Sequence, residues 1–119
     1  VATLSVEGAD LVVHMSPLER LGAFRGDFAV PVREVRSVEV AENGWGSLRG
    51  IRAPGTGIPG VIAYGTRRYQ GGRDFALVLG KRRALVVDLA EGSPFRRLVV
   101  TVDDPDQAAQ QIRSATGLA

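Results

Sequence analysis

Three groups of residues have side chains of the kind that carry chemistry. Gly55-Thr56-Gly57-Ile58-Pro59-Gly60 matches the G-x-G-x-x-G spacing of a dinucleotide-binding turn. That turn works only between a strand and a helix whose N-terminus receives the pyrophosphate. Here Ala53-Pro54 precedes the motif, Pro59 interrupts it and the strand-like run Val61-Ile62-Ala63-Tyr64 follows. The glycines are therefore expected to serve a turn, and no cofactor is implied. Asp103, Asp104 and Asp106 offer carboxylates to a divalent cation, but the further oxygen ligands that a calcium loop needs at set spacing are missing. At a helix start they read as capping and dipole-complementing groups. His14 is the only histidine and there is no cysteine, which removes thiolate zinc sites, disulfides and a cysteine nucleophile. Ser16 has a capping role and no Gly-x-Ser-x-Gly elbow is present, so a protein that is not an enzyme is expected.

The strongest hint of a binding surface is charge. The net charge is +2, yet residues 1–44 carry four basic and seven acidic side chains, residues 45–83 eight and one, and residues 84–119 three and five. A basic block thus sits inside an acidic frame. Arg49, Arg52, Arg67, Arg68, Lys81, Arg82 and Arg83 are the candidate patch for an anionic partner, with Trp45, Tyr64 and Tyr69 as candidate stacking or anchoring groups. Solvated charge on turns explains the same residues. Aromatic residues make up only 6% of the chain and no RNA-binding signature is present, which disfavours nucleic acid. A membrane surface is likewise the less favoured partner.

Positioning these groups requires mainly β structure. Ala2–Glu7 and Leu11–Met15 alternate apolar and polar residues around a Gly8-Ala9-Asp10 turn, which predicts an opening hairpin. Ser16-Pro17-Leu18-Glu19 has the capping-box pattern of a short helix. Phe28, Val30 and Val32 share a face around Pro31, as in an edge strand, and Arg36–Ala41 is a further strand. Residues 43–60 contain six glycines and two prolines and read as one long irregular loop. Strands are then expected at Val61–Arg67, Asp74–Leu79, Ala84–Leu89 and Arg97–Val102, with turns at Gly71-Gly72, Gly80-Lys81 and Gly92-Ser93-Pro94. Asp104-Pro105-Asp106-Gln107 caps a terminal helix with an apolar stripe of Ala108, Ala109, Ile112 and Ala115. The length of 119 residues fits a single domain, 1–119. If alternate strand residues face the core, Val12, Val78, Val86 and Val99 face outward and, with Trp45, form a candidate interface for self-association. Cover by the terminal helix or the long loop is the competing expectation for these valines.

Seven or eight short antiparallel strands followed by one capped helix resemble bacterial, and in particular actinobacterial, pleckstrin-homology-like (PH-like) domains. The run Phe28–Val40 resembles their strand, proline, turn and strand segment. Arg97–Pro105 is similar to their last strand entering the helix, and Gly55–Thr66 to a loop and strand common in such proteins. The resemblance implies an antiparallel barrel or two-sheet sandwich closed by the C-terminal helix. It carries over no catalytic residue, and it implies an assembly or interaction module, often homo-oligomeric, whose protein partner is not named by any residue. Lipid-binding members place basic residues around the first hairpin loop. Here that loop is Glu7-Gly8-Ala9-Asp10, so a lipid headgroup site is not implied. No apolar run approaches the ~20 residues of a membrane helix, and a cytoplasmic protein is expected.

Overall fold

The computed structural model describes residues 2–23, 26–48, 51–58, 62–69 and 72–117, with the main chain alone for 51–57. The expected alternation builds the first layer. Strand β1 (Thr3–Glu7) pairs antiparallel with β2 (Asp10–His14), burying Leu4, Leu11 and Val13 on one face. Strand β3 (Phe28–Pro31) adds to β2 as an edge, where the missing N–H of Pro31 is tolerated.

The second layer has six strands: β4 (Val35–Ala41), β5 (Ile51–Ile58), β6 (Ile62–Tyr69), β7 (Gly72–Leu79), β8 (Ala84–Leu89) and β9 (Arg97–Val100), in the spatial order β4-β8-β9-β7-β6-β5. Leu77, Phe75, Leu85, Val87, Leu98 and Val100 from this sheet share one core with Leu4, Leu11, Val13 and Val30 from the first. Phe28, Phe75 and Phe95 meet within it, the first two edge to face at 4.9 Å between ring centres. Helix α2 (Pro105–Thr116) adds Ala109 and Ile112 to the same core. The protein is mainly β, with two sheets and two helices, and no described strand joins the sheets into a closed barrel.

Three expectations need correction. Residues 43–60 are not one irregular loop: they hold a 3-10 turn, Gly44–Ser47, and strand β5. Strand β5 accepts glycines and Pro54 because it is the sheet edge, and its register against β6 shifts by one residue between Arg52 and Gly55. The turn expected at Gly55–Gly60 is correspondingly strand up to Ile58, and Pro59 and Gly60 lie outside the described residues. Third, the sheet is not wholly antiparallel and contains one strand more than expected. Strand β9 inserts between β7 and β8 and runs parallel to β7. The connection Gly80–Arg83 therefore bridges two strand spacings, about 10 Å, instead of closing a hairpin.

Both helices begin as their sequences demand. In α1 (Pro17–Ala23) the Glu19 N–H donates to Ser16 Oγ and the Ser16 N–H to Glu19 Oε1, a reciprocal capping box. In α2 the Gln107 N–H donates to Asp104 Oδ1 at 3.1 Å, and Gly117 ends the helix in the left-handed region.

Candidate functional site: the exposed face of α1

Among the described residues the basic block is divided between two ends of the sheet. Arg67, Arg68 and Arg73 lie where β6 meets β7 at Tyr69 and Gly72, and Arg52 is opposite Arg67 in register. Lys81, Arg82 and Arg83 follow Leu79, which pairs with Ile62 at the far end of the same strands. Six residue steps separate the two groups, about 20 Å, more than twice the ~8 Å screening length in physiological salt. Arg82 and Arg83 pair with Asp103 and Asp106 at the start of α2, so part of this charge is neutralised locally. Arg67 stands in a row across the sheet, opposite Asp74, which is opposite Arg97, which is opposite Asp88. The Arg97 Nε–H donates to Asp88 Oδ1 at 2.6 Å and Ser37 Oγ donates to the other oxygen. Arg49 lies outside the described residues, and Arg52 is placed by its main chain only.

Three of the four outward valines are covered. Val78, Val86 and Val99 are buried together with Ala63, Ala76 and Ala84, and Trp45 and Leu48 pack over them from the 3-10 turn. Trp45 Nε1–H donates to the Gly80 carbonyl at 2.9 Å, pinning the cover down. Gly44 permits the approach, since a Cβ there would lie 3.0 Å from the Ala84 Cβ and 3.3 Å from both Val78 methyls. The interface expected from Trp45, Val78, Val86 and Val99 is thus an internal contact, and Val12 is only half-buried on the other sheet. Neither tyrosine is an exposed stacking group: Tyr64 is buried in the main core and the Tyr69 hydroxyl donates to Asp74. Burial and the nearby Glu19 charge raise the Tyr64 pKa above its ordinary value.

Helix α1 supplies the apolar surface instead. It packs against β5 and β6 and turns Glu19 inward, with only 4% of that residue exposed. The carboxylate accepts from the Ala2 N–H at 3.2 Å and from the Ser16 N–H at 2.9 Å. Because Glu19 and Ala23 take the inner face, Leu18 and Leu21 point outward at 72% and 71% exposure. Ile58, at the end of β5 on which α1 rests, is 51% exposed. These three are the large apolar side chains left open among the described residues. Fully covering each would contribute about 1.5–3 kcal/mol.

No protein-family model, curated protein or solved structure matches this chain.

A cluster of charge fastens α1 to the first sheet. His14 is exposed, as its place in the alternation predicts, and both of its ring nitrogens face carboxylates: Nε2 is 2.6 Å from Glu7 Oε2 and Nδ1 is 3.4 Å from Asp27 Oδ2. Asp27 also accepts from the Met15 N–H and from the Arg20 guanidinium of α1. The hydrogen bond to Glu7 is the main cause that raises the His14 pKa, and its reciprocal lowers that of Glu7. The Met15 N–H, followed by Arg20, lowers that of Asp27. Among the described residues no group of three metal-ligating side chains has the geometry to hold an ion, and no helix is long and apolar enough to cross a membrane.

Sequence reasoning missed the α1 surface because a Leu-x-x-Leu pair is ordinarily read as a buried stripe. The signal was present in Glu19: a capping-box glutamate must fold back over the helix start, and here that start is the inner face.

Proposed function

We propose that this chain is a non-enzymatic binding or assembly module that makes protein–protein contacts through α1, self-association included. The observation that carries the reading is the reversal of α1, with Leu18 and Leu21 exposed over a buried Glu19. Two outward leucines on one short helix are apolar surface that a partner contact would remove from water. A non-enzymatic role is supported by what the polar groups already do. Ser16 caps a helix, Asp104 caps another, and His14 faces two carboxylates instead of a nucleophile. The same reading places the chain among PH-like interaction modules, supported by the succession of short strands ending in a capped helix. Its parallel β7–β9 pair and two separate sheets are departures from that pattern. A single anionic patch is the weaker reading, because its arginines are divided between two ends of the sheet.

The test compares wild type with the Leu18→Ser/Leu21→Ser double variant in two assays. Light scattering over a concentration series reads self-association, and affinity capture from the native cell extract reads partners. The reading expects at least one contact that weakens more than tenfold in the variant. A wild type that is strictly monomeric and captures nothing, or captures the same protein equally well through the variant, overturns it.

A further inference from the structure

A second surface stands apart from α1. The β1–β2 turn, the 3-10 turn Val32–Glu34, the start of β4 and the last turn of α2 enclose an open groove of about 640 Å³. Its apolar lining comes from Ala9, Val32, Val35 and Ala115, and its polar lining includes the guanidinium-bearing Arg33 and Arg36. No carboxylate lines it. Glu34, between the two arginines, is engaged elsewhere, accepting from Ser93 Oγ at 2.6 Å.

We propose that this groove binds an extended peptide segment of a partner protein, one that sets an acidic side chain beside apolar ones. Charge complementarity selects the occupant. Arg20, Arg82, Arg83 and Arg97 each pair with an aspartate, whereas Arg33 and Arg36 are exposed with no ion pair among the described residues. Arg36 is positioned by donating from its NH1 group to the Arg33 carbonyl at 3.0 Å, which holds the two residues together. The opposite wall is the C-terminal end of α2, whose carbonyls carry partial negative charge. An anionic group therefore belongs against the Arg33/Arg36 wall, and the apolar groups against Val32, Val35 and Ala115.

A peptide fits better than a small molecule or a charged surface. Small-ligand sites fix their occupant with polar groups converging from within, but here both charged groups, Arg33 and Arg36, come from one short segment of an open groove otherwise lined mainly by Ala9, Val32, Val35, Ala115 and Thr116. Arginine beside small apolar side chains is the composition of a protein contact. Nucleic acid and anionic membrane are disfavoured because residues 1–44, which supply both arginines, carry four basic and seven acidic side chains.

The test is selection from a display library of random peptides against the immobilised chain. Enriched peptides should place Asp or Glu next to Val, Ile or Leu. Their binding should fall about tenfold in Arg33→Glu/Arg36→Glu and weaken with added salt. Ala115→Trp, at an exposed position on α2, should abolish binding by filling the groove while leaving the fold intact by circular dichroism. Leu18→Ser/Leu21→Ser should bind the peptides as wild type does, which separates this surface from α1. Enrichment of peptides without acidic residues, no enrichment, or binding unchanged in either groove variant overturns the proposal. So does Arg33/Arg36-dependent binding to phosphatidylserine vesicles in place of peptide.

Discussion

Helix α2 turns Pro105, Ala109 and Ile112 to the core and leaves Asp106 outside, whereas α1 turns Glu19 inward and leaves Leu18 and Leu21 outside. Both start with a proline at the first position after a capping side chain, so their local chemistry is nearly the same. What differs is where the capping glutamate or glutamine position points. In α2 the N3 residue Gln107 is exposed; in α1 the N3 residue Glu19 reaches across to the Ala2 N–H of the first sheet. The apolar face of α2 is therefore part of the core, whereas Leu18 and Leu21 of α1 stand exposed. One helix buries its apolar side chains in the core and the other exposes two leucines.

The largest test of this contrast is a pair of deletions. Ile112→Ala should destabilise the protein by about 2–5 kcal/mol, since it empties a fully buried site where α2 meets the core. Leu21→Ala should stay within about 0.5 kcal/mol, because its side chain has little to lose. Denaturant melts of the isolated protein at low concentration measure both. A Leu21→Ala loss comparable to that of Ile112→Ala would mean that α1 is packed in solution in another way.

Next in size is the group that forces the reversal. Glu19→Ala leaves the buried Ala2 N–H and the Ser16 N–H without their acceptor, at an expected cost of about 1–3 kcal/mol. Glu19→Gln keeps an acceptor oxygen and should cost less. If Glu19→Leu proved more stable than wild type, the inward glutamate would not be a structural need of this fold.

Much of this architecture was legible in the residues themselves. Ser16-Pro17-x-Glu19 and Asp104-Pro105-x-Gln107 located both helix starts, alternation located β1 and β2, and an apolar run between turn signals located β8 with its observed limits. What stayed hidden depends on neighbours distant in sequence. Strand β5 carries Pro54 and a one-residue register shift against β6, tolerable because no strand lies beyond it. Three of the outward valines, Val78, Val86 and Val99, look free until Trp45 is seen bonded to Gly80 above them. The groove joins Ala9, Val32 and Ala115, which no local pattern connects. Strong local charge, by contrast, misled: the basic block is continuous along the chain and divided about 20 Å apart on the sheet.

The smallest expected effect sharpens the contrast through pH. Two carboxylates face both nitrogens of His14, and a neutral imidazole can donate from only one of them, so the pair of contacts is complete only in the imidazolium form. The His14 pKa is raised, chiefly by the hydrogen bond to Glu7. Its contribution is thus fully present below the ordinary histidine value of about 6.5 and is lost as pH rises through the higher folded value. Glu7 and Asp27 are lowered, so their contribution is present above ordinary carboxylate values and lost as pH falls through the folded ones. Stability from this cluster is greatest in the window between. Since Asp27 also holds Arg20 of α1, and among the described residues no hydrogen bond or ion pair of Glu7, His14 or Asp27 reaches α2, raising pH above the His14 transition should loosen α1 alone. Hydrogen exchange, corrected for intrinsic rates, should show faster opening of α1 amides with α2 unchanged, and His14→Gln should abolish the difference. An NMR titration placing His14 at or below its ordinary value would remove the basis for it, and equal loosening of both helices would show that α1 is not separately fastened.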